Sequence, residues 1–313
     1  MTNGGTGYFV LAGAIILFGI ERLSIWFLMP DKVNQILFLD FFWVIGVLLL
    51  AVAAVENPAY IEGIVKEYNS LLEVVAVLIA GVVGGLFLAF LSIGKGNTIE
   101  ESAQNSLIGR ITSSVSGGDY TPMNAFLSHP GYGDGGASDW ALKFSQARLD
   151  IVGEEIGSFQ DFLLTFNINF FHVAWGEEIF MIAFVAIVLA GFGKVFKADS
   201  SMELYDPLGQ VALLIRGVAF GLLHIFAYTN GLESFQLGYF IPAIIGGIFF
   251  GALAYWKGLL PAVMAHAVYN TTIDVVFATG WTFIVSQFGI IILSFLAMYM
   301  VWDLVIKDMI GLE

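Results

Sequence analysis

Apolar residues in this chain gather into long unbroken runs. They do not alternate every second position, and they do not form narrow helical stripes. A helix of about 20 mostly apolar residues is long enough to cross a bilayer. Eight runs meet that description: Tyr8–Met29, Ile36–Val55, Leu71–Gly94, Phe162–Gly193, Leu208–Thr229, Leu237–Trp256, Gly258–Thr279 and Trp281–Trp302. They predict an all-α fold, a polytopic transmembrane helix bundle of about eight spans, because a spanning helix satisfies its own backbone hydrogen bonds. The fourth run is too long for one straight crossing, so it calls for tilt or an interfacial start. Pro261, near the start of the seventh, suits a first helical turn.

The runs are interrupted once at length, from Lys95 to Gln160. This divides the chain into N-terminal transmembrane helices over 1–94, a polar loop over 95–160 and a second membrane part over 161–313. Ser116–Ser138 is rich in Gly, Ser and Asp and includes Gly131-Tyr132-Gly133-Asp134-Gly135-Gly136, which reads as a flexible loop. These glycines do not form a phosphate cradle, since no Gly-Lys-Ser or Gly-Lys-Thr follows them. Trp140–Ile156 mixes apolar residues with Lys143, Arg148, Asp150 and Glu154-Glu155. It fits an amphipathic helix at the membrane surface and equally a short soluble helix packed on the loop.

Composition supports the membrane assignment. Of 313 residues 58% are hydrophobic and only 12% charged, against about 25% charged in soluble domains. The chain is therefore expected to be a multi-pass integral membrane protein with lipid as a constant partner. Its net charge of −14 excludes nucleic acid, which needs a basic surface. Cysteine is absent, which rules out disulfides, a thiol nucleophile and Cys-built zinc sites.

Against that background a few polar residues stand out. Glu177-Glu178, His224 and His266-x-x-x-Asn270 all fall inside apolar runs. An ionisable side chain at a bilayer centre costs at least roughly 2.5–3.5 kcal/mol, so such residues by default face protein or a water-filled cavity. Adjacent helical residues point about 100° apart. One of the two acids can therefore face a cavity while the other braces a neighbouring helix. A buried carboxylate near neutrality can take a proton from water and return it to a leaving group. His266 and Asn270, four apart, share a helical face. They can donate to an oxygen that gains negative charge, or form an interhelical polar clamp. Phe220 lies one turn before His224 on the same face. There is no His-Glu-x-x-His and no Gly-x-Ser-x-Gly in the chain.

In order and spacing these blocks resemble the CAAX prenyl endopeptidase and bacteriocin-processing family of intramembrane proteases, also called the Abi family. Its pattern is Glu-Glu-x-x-x-Arg, then Phe-x-x-x-His, then His-x-x-x-Asn, each in its own transmembrane helix. Here they read Glu177-Glu178, Phe220-x-x-x-His224 and His266-x-x-x-Asn270, with Leu260-Pro261 leading into the last. The likeness covers roughly Trp175 to Asn270. It implies an intramembrane cavity, with Glu177 activating the hydrolytic water, His224 assisting, Glu178 in support, and His266 and Asn270 stabilising the oxyanion. It implies no required metal. One departure is plain: Ile182 stands where the family has its arginine. Arg216, eight residues before His224, is the candidate to compensate, although an arginine there can also snorkel to the interface.

The leading expectation is therefore an intramembrane endopeptidase acting on a membrane-associated or lipid-modified peptide or protein. The alternative is a non-catalytic relative that serves as a binding, assembly or self-protection subunit. A transporter or proton relay using the buried acids is a third class. No cofactor is expected. The alternative is zinc, held by Glu177, His224 and His266 as a two-histidine, one-carboxylate set.

Overall fold

The computed structural model describes residues 12–20, 22–23, 41–66, 68–96, 99–116, 158–196, 207–228 and 237–306. Among them all regular structure is helical and no strand occurs. Half of the first apolar run and the whole of Trp140–Ile156 lie outside the described residues; 12–20 is helical. The elements in order are α1 Phe41–Glu56, α2 Pro58–Ile64, α3 Leu71–Ser92, α4 Ile99–Gln104, α5 Leu107–Ser116 and α6 Phe159–Asn167. A π-helical segment, Ile168–Ala174, leads from α6 into α7 Trp175–Phe196. Then come α8 Pro207–Tyr228, α9 Leu237–Lys257, α10 Leu259–Thr279 and α11 Trp281–Val301.

Among the described residues, 5 helices are long and apolar enough to cross a membrane, or 6 if the bent pair α1 and α2 is one span. Length and hydropathy confirm a multi-pass integral membrane protein. The bend between α1 and α2 is 116°. Asn57 makes it, capping α2 by accepting the Tyr60 amide while Pro58 starts the helix. The long fourth run is one continuous stretch, Phe159–Phe192, relieved by the π segment. Two features inside the polar region were not legible as apolar runs. They are the short helices α4 and α5, of which α5 packs on α9 and α3.

α10 is the centre of the bundle. It packs on α3, α9, α11, α7 and the π segment. It is the least apolar of the long spans and the most buried. That pairing follows from its surroundings, since polar side chains are tolerated where the neighbours are protein and not lipid. α3 approaches it through Gly81 and Gly85. A Cβ on Gly81 would lie 2.7 Å from Met264 Cβ, and one on Gly85 would lie 2.7 Å from Val268 Cβ. Small residues at such contacts let backbones come close, the main route to helix association where lipid removes the hydrophobic drive. α8 and α9 meet in the same way, Gly217 and Gly221 facing Ile248 and Phe240, and Gly247 facing Phe220. The helices outside 161–313 are thus part of one bundle with those inside it.

The turn between α9 and α10 sets the register of α10. Gly258 holds φ at +93°, a left-handed conformation that glycine adopts without a steric cost. The α2–α3 connection clamps this turn. Tyr68 donates its hydroxyl to the Lys257 carbonyl at 2.9 Å, and Lys66 reaches the Trp256 carbonyl at 3.1 Å.

Candidate active site

Glu177 and Glu178 sit in the first turn of α7. The π segment just before them is pinned on two sides. The Trp43 indole of α1 donates to the Phe171 carbonyl, and Asn169 donates to Thr271 Oγ1 and Asp274 Oδ2 of α10 at 3.1 and 2.8 Å. Such single π turns in α-helices are frequent at functional sites, where they leave backbone groups for side chains to satisfy. Gly176 lets the start of α7 press on Trp43, its missing Cβ being 3.0 Å from the ring.

The two acids diverge, as adjacent helical residues must. Glu178 is fully buried and pairs on one oxygen with Arg216 Nη2 of α8. Its other oxygen accepts from His266 Nδ1 of α10 at 3.1 Å. The opposite ring nitrogen, His266 Nε2, lies 3.6 Å from Glu177 Oε2, beyond direct hydrogen-bond length. Arg216 is anchored a second time through Nε to the Gly247 carbonyl of α9 at 3.0 Å. Four helices therefore meet in one network. Glu177 is 5% exposed, Arg216 1%, His266 2% and Asn270 5%, so it is sealed from bulk solvent and lipid alike.

Aromatic rings shape the rest. Phe250 stacks on the His266 ring with centroids 4.4 Å apart and planes at 14°. Phe220 lies between the two histidines, 4.2 Å from His224 and 5.7 Å from His266. Its carbonyl takes His224 Nδ1 at 2.8 Å. A carbonyl only accepts, so Nδ1 carries the proton, and in a neutral ring Nε2 keeps its lone pair. His224 is partly exposed and is the accessible edge of the site. Ile108 of α5 packs into the same layer, with Met181, Phe220, Phe250 and Ala265.

Of the residues singled out from sequence, Glu178, Arg216 and His266 are joined by direct contacts, and Glu177 lies 3.6 Å from His266. Asn270 follows one turn along the buried face of α10, and Phe220 links His224 to His266. Ile182 is buried in the apolar cluster with Tyr60, Ile61 and Tyr255. His129 lies outside the described residues, and His172 is buried in the π segment. Asn169, the partner of Thr271 and Asp274, and Gly247 and Gly251 beside Arg216 complete the site without having been singled out from sequence. For the glycines a signal existed, since Gly217-x-x-x-Gly221 and Gly247-x-x-x-Gly251 are spacings at which helices approach closely.

The residues present do not fit the zinc set. Among the described residues no three His, Asp or Glu side chains are grouped to hold a metal ion. Both His266 nitrogens face carboxylates, and the Arg216 guanidinium already supplies a cation to Glu178.

Fold and site together define a multi-pass membrane protein with a hydrogen-bonded charge cluster sealed at its centre. The family model for type II CAAX prenyl endopeptidase Rce1-like proteins matches residues 159–272, from the start of α6 to Thr272 in α10. Over that segment the chain is similar to this CAAX protease-like family. No curated protein and no solved structure matches the chain.

Proposed function

We propose that the protein is an intramembrane endopeptidase that hydrolyses a peptide bond of a membrane-associated or lipid-modified substrate with water activated by Glu177. The observation that carries this reading is the buried junction of Glu177, Glu178, His266 and Arg216 within the segment that matches the protease family. Glu177 takes a proton from water as its oxygen attacks the scissile carbonyl carbon. The partly exposed His224, with its Nε2 lone pair, helps hold that water. The carbonyl oxygen becomes an oxyanion and is met by the Asn270 amide, one turn from His266 on the same face of α10. Collapse breaks the C–N bond, and Glu177 returns its proton to the leaving amine. Donors fixed in a dry site supply the largest share of such catalysis, because they need no reorganisation as charge develops.

A second reading is favoured by one observation, the Ile182 substitution in the family's first block. On that reading the bundle binds a lipid-modified peptide without cutting it. The experiment uses purified protein in proteoliposomes and a farnesylated peptide ending in Cys-aliphatic-aliphatic-X, with products read by mass spectrometry. Release of the terminal tripeptide, unaffected by strong chelators, is the expected result. Stable capture of the peptide with no product would support the non-catalytic reading.

A further inference from the structure

The site contains a cation that arrives from a different helix than the acids it serves, and the neighbouring helix is carved to admit it. Arg216 Cδ and Nε run along α9 at Gly251. A Cβ at that position would lie 2.6 Å from Arg216 Cδ and 2.9 Å from Nε, too close for either to stay. One turn earlier, Gly247 offers its carbonyl to Nε at 3.0 Å, and a Cβ there would lie 2.7 Å from Phe220 Cβ. The two glycines thus form a slot that fixes the stem of the arginine and the aromatic ring between the histidines. The guanidinium at the end of the slot pairs with Glu178 Oε2, and Glu178 Oε1 is left to His266 Nδ1.

We propose that the Gly247–Gly251 slot of α9 is a positioning element of the site: by seating Arg216 on Glu178 it fixes the proton on His266 Nδ1 and so aims His266 Nε2 at Glu177. The inference rests on the proposed function for its catalytic meaning and on geometry alone for its structural claim. A carboxylate engaged by a guanidinium is an acceptor only, so the nitrogen facing it must donate. The ring is held face-on by Phe250, which leaves Nε2 a single direction. Arg216 and the two glycines touch no reacting atom and act entirely through Glu178 and His266. Second partners of this kind fix the tautomer and orientation of a functional histidine.

The test is 15N NMR of histidine-labelled full-length protein in nanodiscs. The chain has four histidines, and the His266 signals are assigned by their loss in His266→Gln. In wild type, Nδ1 of His266 is expected to be fully protonated. In Gly251→Val, and to a smaller degree in Gly251→Ala, the Nδ1 signal is expected to move toward the value averaged between tautomers. Arg216→Lys, a cation without the planar fork, is expected to fall between. Gly251→Val added to Arg216→Lys is expected to shift Nδ1 less than the sum of the two, because both act through one seat. Retained helical content and a monodisperse profile qualify each variant. If Gly251→Val does not fold, Gly251→Ala and Arg216→Lys carry the test. An unchanged His266 Nδ1 signal in folded Gly251→Ala and Arg216→Lys proteins would overturn the proposal. The readout needs no substrate, so it stands or fails independently of proteolysis.

Discussion

At the scale of residues, the central fact is that Glu178 is fully buried and has two contacts with nitrogen. Burying a charge is tolerable only when a partner is buried with it, and removing one partner of such a pair costs about 3–5 kcal/mol. Arg216→Met is therefore expected to lower stability by about that amount in detergent, read as a fall in the thermal unfolding midpoint. Glu178→Gln introduced into the same variant should recover part of the loss, since it removes the stranded carboxylate. The glutamates, histidines and asparagine were legible in the sequence because a charged or polar residue inside an apolar run is conspicuous. Their partners were legible only in part. Arg216 stood out by the same rule, but its seat on Glu178 depends on the register between α7, α8 and α9. Asn169 was illegible because its partners Thr271 and Asp274 lie about a hundred positions away.

At the scale of elements, the position of the site follows from how α10 is placed. Gly81 and Gly85 of α3 set its lateral position, and Gly258 with Tyr68 sets its start. Overpacking of a close contact costs about 1–3 kcal/mol. Gly85→Val is expected to destabilise the bundle by about that much, measured by the same thermal midpoint, and to reduce any activity by displacing His266. Tyr68 gives a pH signature outside the spans. Burial, with the negative charge of Glu73 beside it, pushes the hydroxyl up to about 12, from an ordinary value of about 10. The folded protein thus holds this proton longer than the unfolded chain does. Its contribution to stability is intact below pH about 10 and is lost as pH rises toward about 12. Tyr68→Phe is expected to flatten the alkaline fall of the unfolding midpoint over that window, compared with wild type. The long helices were legible because run length alone decides them. The bend at Asn57-Pro58, the π segment and the helices α4 and α5 were not. They depend on hydrogen bonds and packing that have no counterpart in apolar run length.

At the scale of the whole molecule, the segment that matches the protease family supplies α7, α8, α9 and the site-bearing part of α10. The rest of the chain supplies the walls against which those helices are held. α1 packs along α7, and α3 along α10. Apolar residues such as Leu48, Phe90 and Leu293 remain exposed on the outside, while the charged network is closed within. The proposed chemistry needs this division: apolar exterior, dry interior and one carboxylate facing the reacting bond.

That chemistry is tested most directly by the cleavage rate of the farnesylated peptide in proteoliposomes, compared between wild type and Glu177→Gln at matched folding. Loss of a positioned general base should slow the reaction by about 10²–10⁴-fold while peptide binding persists. Equal rates in the two proteins would contradict the account.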